Sequence, residues 1–441
     1  MRSNEYHSDV AVIGGGIAGL VAAALIARSS KSVRLFEQSH ALGGRAQTKQ
    51  QEGFFLNLGP HALYRGGRGI EVLRELGVEP RGRVPSVSGG FAVKDGVKHT
   101  FPAGALSLLT TNLFGLSAKL EAARFLASIG RLDGNRLMGT SVREWLDQTL
   151  SHNEVKDFVL AAFRVATYTN APDLMSAGAA IEQLKKAFAT SVLYLDGGWQ
   201  TLVEGLREAA LGAGVIIETG VKVQGVTRGV AGAVEGVRLA DGRVIGTSTV
   251  LIASNPMIAV GLVEDAEQTS IKRWADRAIP VRAACLDVAL SRLPKEGATF
   301  ALGIDRPLYL SVHSAAARLA PEGCALIQTA KYLPPDDQDS TETIERELEE
   351  LLDLVQPGWR EVIVHRRFLP DMIVMNAMPL ARDDGTRGRP GPEVADVPGL
   401  YVVGDWVGDE GLLVDASLAS ARKAAELIGA SHPMVVSATV T

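Results

Sequence analysis

Unbroken apolar residues at 10–13, a glycine-rich stretch at 14–19 and small apolar residues at 20–27 predict a buried parallel strand, a tight loop and a helix packed closely on a sheet. A second apolar run at 33–37 predicts the next strand, completing a βαβ unit whose sheet is parallel. Helical spacing recurs at 69–76, ending at Gly77, and at 154–165, 177–188, 200–211, 343–354 and 416–428. Ser141-Val142-Arg143-Glu144 reads as a capping box that opens one more helix, through Leu150. Residues 215–226, 234–239 and 244–252 are β-rich, with Asp241-Gly242 as a hairpin turn between the last two. Strands are also predicted at 281–290, 308–313 and 400–403. No internal repeat or low-complexity segment interrupts this alternation. Five stretches of chain emerge, in which 1–85, 196–265 and 391–441 build one domain and 86–195 and 266–390 build a second.

At 441 residues and 46% hydrophobic content the chain can bury cores for two or three domains. A net charge of -5 with both signs interleaved, and no dense basic run, excludes a nucleic-acid binder and leaves small molecules as the expected partners. Cys285 and Cys324 are too few for a disulfide scaffold and lack metal-ligand spacing, so no metal is expected and a reducing cytoplasm fits. The uncharged stretch 10–27 follows Arg2, but Glu5 and Asp9 in front and four glycines inside argue against a signal peptide or membrane span.

Gly14-Gly15-Gly16-Ile17-Ala18-Gly19 follows a strand, opens a helix and precedes Glu37 at the end of the next strand. That context makes it a dinucleotide fingerprint: one glycine for the turn, one for backbone approach to pyrophosphate, one for helix packing, and Glu37 for a ribose hydroxyl. FAD and NAD share this pattern. Gly43-Gly44-Arg45-Ala46-Gln47-Thr48 separates them, because it resembles the extended glycine-arginine motif of the FAD-dependent amine oxidase superfamily. Gly399-Leu400-Tyr401-Val402-Val403-Gly404-Asp405 is similar to that superfamily's C-terminal flavin motif, and Gly220-Val221-Lys222-Val223, with Gly197-Gly198 before a helix, to its middle segment. The resemblance implies an α/β fold: a Rossmann-like FAD-binding domain of discontinuous segments with an interleaved α+β substrate domain. It also implies cofactor contacts from Gly14, Gly16, Ile17, Ala18, Gly19, Glu37, Gly44, Arg45, Gly59, Val223, Gly404, Asp405 and Ala416. FAD is expected to be non-covalent, since neither cysteine lies in the C-terminal flavin segment.

Within that superfamily, Gly59-Pro60-His61, Asp305-Arg306-Pro307-Leu308-Tyr309 and Leu319-Ala320-Pro321-Glu322-Gly323 look like segments of the phytoene-desaturase-like branch. Asn57 stands where that branch usually has Asp, which weakens whatever hydrogen bond the carboxylate made. The branch implies hydride removal from an apolar, unsaturated or isoprenoid-like substrate. Competing readings are a protoporphyrinogen-oxidase-like or amine-oxidizing flavoenzyme, a redox-neutral FAD isomerase and a non-enzymatic FAD-binding scaffold. His61 and Arg282 are the candidate catalytic residues, with Tyr309 and His313 behind them and packing as the plainer role for each. Leu413 stands where monoamine-type enzymes cage the amine with an aromatic ring, Trp406 being the nearest substitute. Many amine oxidases hold a lysine on a strand that matches 279–288, where this chain has Arg282 and no lysine, which favours an organic acceptor such as a quinone over oxygen. The uncharged stretch 99–118 is expected to be buried helix and loop, with a substrate channel or peripheral membrane contact as the alternatives.

Overall fold

The computed structural model describes residues 7–430, so Arg2 and Glu5 and the two ends of the first and last predicted segments lie outside the described residues. Strand β1 (Val10–Ile13), helix α1 (Ile17–Arg28) and strand β2 (Val33–Glu37) form as the apolar pattern predicts. They seed a five-stranded, all-parallel sheet in the order Ile216–Thr219, β2, β1, Thr249–Ile252, Leu400–Val402. Helices Gln200–Gly212 and Leu413–Ala430 pack on α1 over one face of this sheet. The sheet therefore assembles from three remote stretches of chain, as expected for a discontinuous Rossmann-like unit.

Two predicted strands divide. The β-rich stretch 215–226 gives Ile216–Thr219 to the parallel sheet, turns at 220–222, and gives Val223–Arg228 to a separate antiparallel sheet with Val234–Leu239 and Val244–Gly246. Likewise 244–252 breaks at 247–248, and only Thr249–Ile252 returns beside β1. Hydrophobicity alone does not report these breaks, because both halves of each stretch are apolar.

The second sheet has seven strands in the order Ile363–Met375, Val281–Leu290, Ala325–Leu333, Leu308–Val312, Phe300–Gly303, Phe91–Lys94, Val97–Thr100. Strand Val281–Leu290 shows the period-two logic: Ala284, Leu286 and Val288 face helix Thr341–Val355, while Ala283 and Cys285 face the opposite side, where a helical layer packs. Edge strand Ile363–Met375 was not anticipated, since His365, Arg366, Arg367 and Asp371 break up its apolar pattern. Pro370 is tolerated there because its register skips: Ala283 pairs with Met372 while Cys285 pairs with Leu369. The stretch 99–118 is only partly buried, with Leu108, Leu113 and Phe114 inside and Leu106, Leu109 and Leu116 outside.

Candidate active site

A cavity of about 1130 Å³ begins at the carboxyl ends of the parallel strands and runs on between the two sheets. Its first half is walled by Gly14, Gly16, Ile17 and Ala18, by Glu37, by Gly44 and Arg45, by Val223, and by Gly404 and Asp405. Here ten of the thirteen predicted cofactor residues converge from positions up to 391 apart in sequence, at the switch point where open α/β sheets bind ligands. The opening residues of α1 and of helix Leu413–Ala430 both face the cavity, which turns two helix amino ends toward an anionic ligand.

The carboxylate of Glu37 accepts from the backbone N–H of Gly15 at 2.7 Å and of Ser39 at 2.8 Å. The side chain expected to meet a ribose thus also clips the glycine loop to β2. Asp405 is buried and uses both oxygens: one accepts from Arg45 Nη1 at 2.8 Å, the other from the backbone and side-chain amides of Asn376 at 3.2 and 2.9 Å. Trp199 lines the same wall, and its indole N–H is buried without a hydrogen-bond partner among the described residues. A buried donor left open in a cavity wall calls for an acceptor on the ligand, and the glycine-lined approach suits a dinucleotide. These residues fit FAD.

The sequence model of the flavin containing amine oxidoreductase family matches residues 17–429. The chain belongs to that family. The family is one of flavin-containing oxidoreductases, and the residues described above fit its cofactor. It is 32% identical to putrescine oxidase from Kocuria rosea over 125 residues, 26% of each chain. It is 46% identical to carotenoid 3,4-desaturase from Haloarcula japonica over 52 residues, 12% of this chain and 10% of the other. The chain matches about a quarter or less of the length of these curated relatives. An oxidoreductase from Methanosarcina mazei shares the fold at a TM-score of 0.74 and 20% identity, covering 95% of this chain and 99% of the other.

In this flavoprotein the inner half of the cavity is walled by Pro60, His61, Tyr168, Ala283, Cys285, Leu369, Met372 and Leu413. The His61 Nδ1 lies 3.0 Å from the Gly59 carbonyl, and its ring meets Trp199 edge-on at 4.9 Å. Burial pushes the His61 imidazole below its ordinary pKa, and the cations Arg45 and Arg367 push the same way, so it is neutral at pH 7. The loop carrying His61 is pinned from behind by a buried network. Arg367 donates to Asp287 and to the Asn57 carbonyl, and Gln328 Nε2 donates to the Gly59 carbonyl at 3.0 Å and to Asp287 at 3.1 Å. Burial raises the Asp287 carboxyl above its usual range against the pull of Arg367. Asn57 itself loses little by not being Asp, because its Oδ1 still accepts from Thr48 Oγ1 at 2.7 Å and from the Trp199 backbone N–H at 3.0 Å.

Four predicted residues lie off the cavity wall. Gly19 packs α1 on the loop instead, since a Cβ there would overlap the Gly14 carbonyl oxygen. Gly59, at φ +76°, sits behind Leu58 and Pro60 where a Cβ would strike Met372 and Cys285. Ala416 is buried within helix Leu413–Ala430, which begins three residues earlier than its pattern predicts and offers Leu413, Val414 and Ser417 to the cavity. Arg282 turns away and forms an ion pair with Asp371. Tyr309 and His313 are also outside the cavity: His313 stacks on Tyr194 at 3.9 Å, and the Tyr194 and Tyr309 hydroxyls meet at 2.9 Å. Trp406 is packing, its indole N–H donating to the Ser254 carbonyl. Trp199, Tyr168, Cys285, Met372 and Asn376 had escaped the sequence reading; only the Gly197-Gly198 pair beside Trp199 gave a local signal.

Proposed function

We propose that this flavoenzyme removes a hydride from an activated C–H bond of an apolar, unsaturated or isoprenoid-like compound. One observation carries the reading: among the described residues no unpaired carboxylate faces the cavity. Glu37 is held by two backbone amides, Asp405 by Arg45 and Asn376, and Asp371 by Arg282, while the inner wall is largely aliphatic, sulfur-bearing or aromatic. A cationic amine would enter without a partner for its charge, at a cost of several kcal/mol, whereas an apolar chain would not. The stretch shared with carotenoid 3,4-desaturase supports this, and that shared with putrescine oxidase leaves the wall residues to decide.

Bound FAD supplies a two-electron acceptor. Tyr168, Leu369, Met372 and Leu413 would exclude water and orient the chain of the substrate. His61, neutral and on the wall, would take the proton that leaves the adjacent carbon. The final acceptor we take to be an organic molecule such as a quinone, because the strand facing the cavity contributes Ala283 and Cys285 and no lysine. Cys285 and Cys324 are unpaired, which suits a reducing compartment, and on that basis we assign the protein to the cytoplasm.

The test is anaerobic: polyenes and isoprenoids, putrescine, L-amino acids and protoporphyrinogen are each mixed with holoenzyme while flavin absorbance is followed. Bleaching by polyenes or isoprenoids alone is the expected result, and bleaching by putrescine or an amino acid overturns it. Turnover of a polyene with no external acceptor would identify a redox-neutral isomerase, and no bleaching by any compound would leave only a flavin-binding scaffold.

A further inference from the structure

We propose that helices Ala105–Thr110 and Leu116–Ser128 form a docking surface for an anionic lipid bilayer. Four leucines on these consecutive helices stand in solvent: Leu106 is 76% exposed, Leu109 69%, Leu116 81% and Leu120 56%. Isolated exposed leucines are unremarkable, but four on two adjoining helices form a patch that calls for a partner. Their helices are anchored from within by Leu108, Ala118, Ala122 and Phe125, so the outward leucines are held on a packed base.

Charge selects the occupant. Between Asp95 and Glu121 the chain carries Lys98 and Lys119 and no acidic residue, in a protein whose net charge is -5. Lys119 lies between the two helices, its ammonium donating to the Leu109 carbonyl at 2.6 Å. The outward positions of helix Leu116–Ser128 and the turn after it continue from Leu116 and Leu120 to Arg124 and Arg131, both exposed. Glu121, which follows Leu120, is turned aside: it accepts from the backbone amides of Ser151 and His152 and from the His152 ring. Asp133, two residues beyond Arg131, is half exposed but is paired with Arg136 at 3.2 Å and accepts from the Asn135 backbone N–H. An apolar tip that grades into arginines, with Glu121 turned aside and Asp133 already paired, matches the headgroup boundary of a bilayer bearing negative charge. A second copy of the chain fits less well, because four leucine side chains cover less than the ~800 Å² per partner that a stable dimer buries. Among the described residues no helix is long and apolar enough to cross a membrane, so the contact is one of lying on the surface.

Vesicle flotation of the full-length holoprotein tests this without any substrate, so its outcome is independent of the proposed reaction. Vesicles of phosphatidylcholine with about a third phosphatidylglycerol should carry the protein upward, and pure phosphatidylcholine vesicles should carry at least threefold less. Replacing Leu106, Leu109, Leu116 and Leu120 together by Ser should reduce binding to anionic vesicles at least tenfold, with flavin content unchanged as the check on folding. Arg124→Glu with Arg131→Glu should abolish the preference for anionic lipid. Absence of flotation overturns the proposal, as does a quadruple variant that floats like the parent. A concentration-dependent dimer in sedimentation velocity that the leucine replacements abolish would assign the patch to a second copy and overturn it equally.

Discussion

The half-exposed guanidinium of Arg45 donates to the buried carboxylate of Asp405 and to the Val374 carbonyl, joining the glycine-arginine loop, the C-terminal flavin segment and the edge of the seven-stranded sheet at one point. Replacing Asp405 by Leu leaves Arg45 and the Asn376 amides without their acceptor. Because Arg45 reaches solvent, its charge is rehydrated, and the expected loss is about 1–2 kcal/mol rather than the larger penalty of a fully buried orphan. FAD should bind about tenfold more weakly, measured by fluorescence titration of the apoprotein. Unchanged affinity would mean that this carboxylate does not organise the cofactor site.

Glu37 makes a contrasting pair of predictions. Glu37→Gln retains an oxygen for the Gly15 amide and should hold FAD within a few-fold of the parent. Glu37→Arg removes the acceptor from the loop and from the ribose and adds a cation, costing on the order of 2 kcal/mol or more. Flavin-to-protein absorbance ratios of the purified proteins report both, and equal ratios for the two variants would show that the fingerprint acid has been misread.

Non-covalent FAD follows from the absence of cysteine between Gly404 and Ser417, where the C-terminal flavin segment meets the cavity. Acid precipitation should therefore leave FAD in the supernatant. Cys285 does line the inner wall, and burial pushes its thiol well above the ordinary range, away from the reactive thiolate. Colour that stays with the pellet but is released from a Cys285→Ala variant would overturn the prediction.

His313 gives the fold an acid sensitivity. Burial drives its pKa down to about 3, against about 6.5 in the unfolded chain. Between these values the unfolded state binds the extra proton, so stability falls as pH falls below about 6.5, and it stops falling near 3. At pH 5 the loss from this one group is about 2 kcal/mol. His313→Phe keeps a ring against Tyr194 and removes the titration, so its thermal midpoint should drop less between pH 7.5 and pH 5 than that of the parent. Equal drops would locate the acid sensitivity elsewhere.

Local chemistry made the cofactor half of the site legible. The spacing of Gly14, Gly16 and Gly19, the acid at Glu37 and the Gly44-Arg45 pair are short-range patterns whose meaning does not depend on the rest of the chain. What stayed hidden were pairings set by strand register. Arg282 lies opposite Ile373, which brings Asp371 within reach, and Asp287 lies opposite Arg367, which pins the Asn57 loop. No local pattern reports such partners. Asp287 was the one residue that could have raised the question, as the only acid in a strand that is apolar from Ala283 onward.

The same register bears on the electron acceptor. Reduction of oxygen at a flavin builds negative charge beside the ring, and a fixed cation there speeds it. Arg282 was the one cation on strand Val281–Leu290 able to serve, yet it is paired with Asp371 and lies off the cavity wall. Its neighbours that do face the cavity, Ala283 and Cys285, are uncharged. Among the described residues the cavity's own cations are Arg45, committed to Asp405, and Lys222, which lies beside Val223 at the far side from the inner wall. Photoreduced enzyme should therefore reoxidise slowly in air-saturated buffer and much faster with a soluble quinone, by stopped-flow absorbance. Arg282→Ala should leave both rates within about twofold, because the charge it removes is already neutralised by Asp371 and does not line the cavity. Fast reoxidation by oxygen in the parent that is lost in Arg282→Ala would show that the guanidinium swings inward, and would make the enzyme an oxidase.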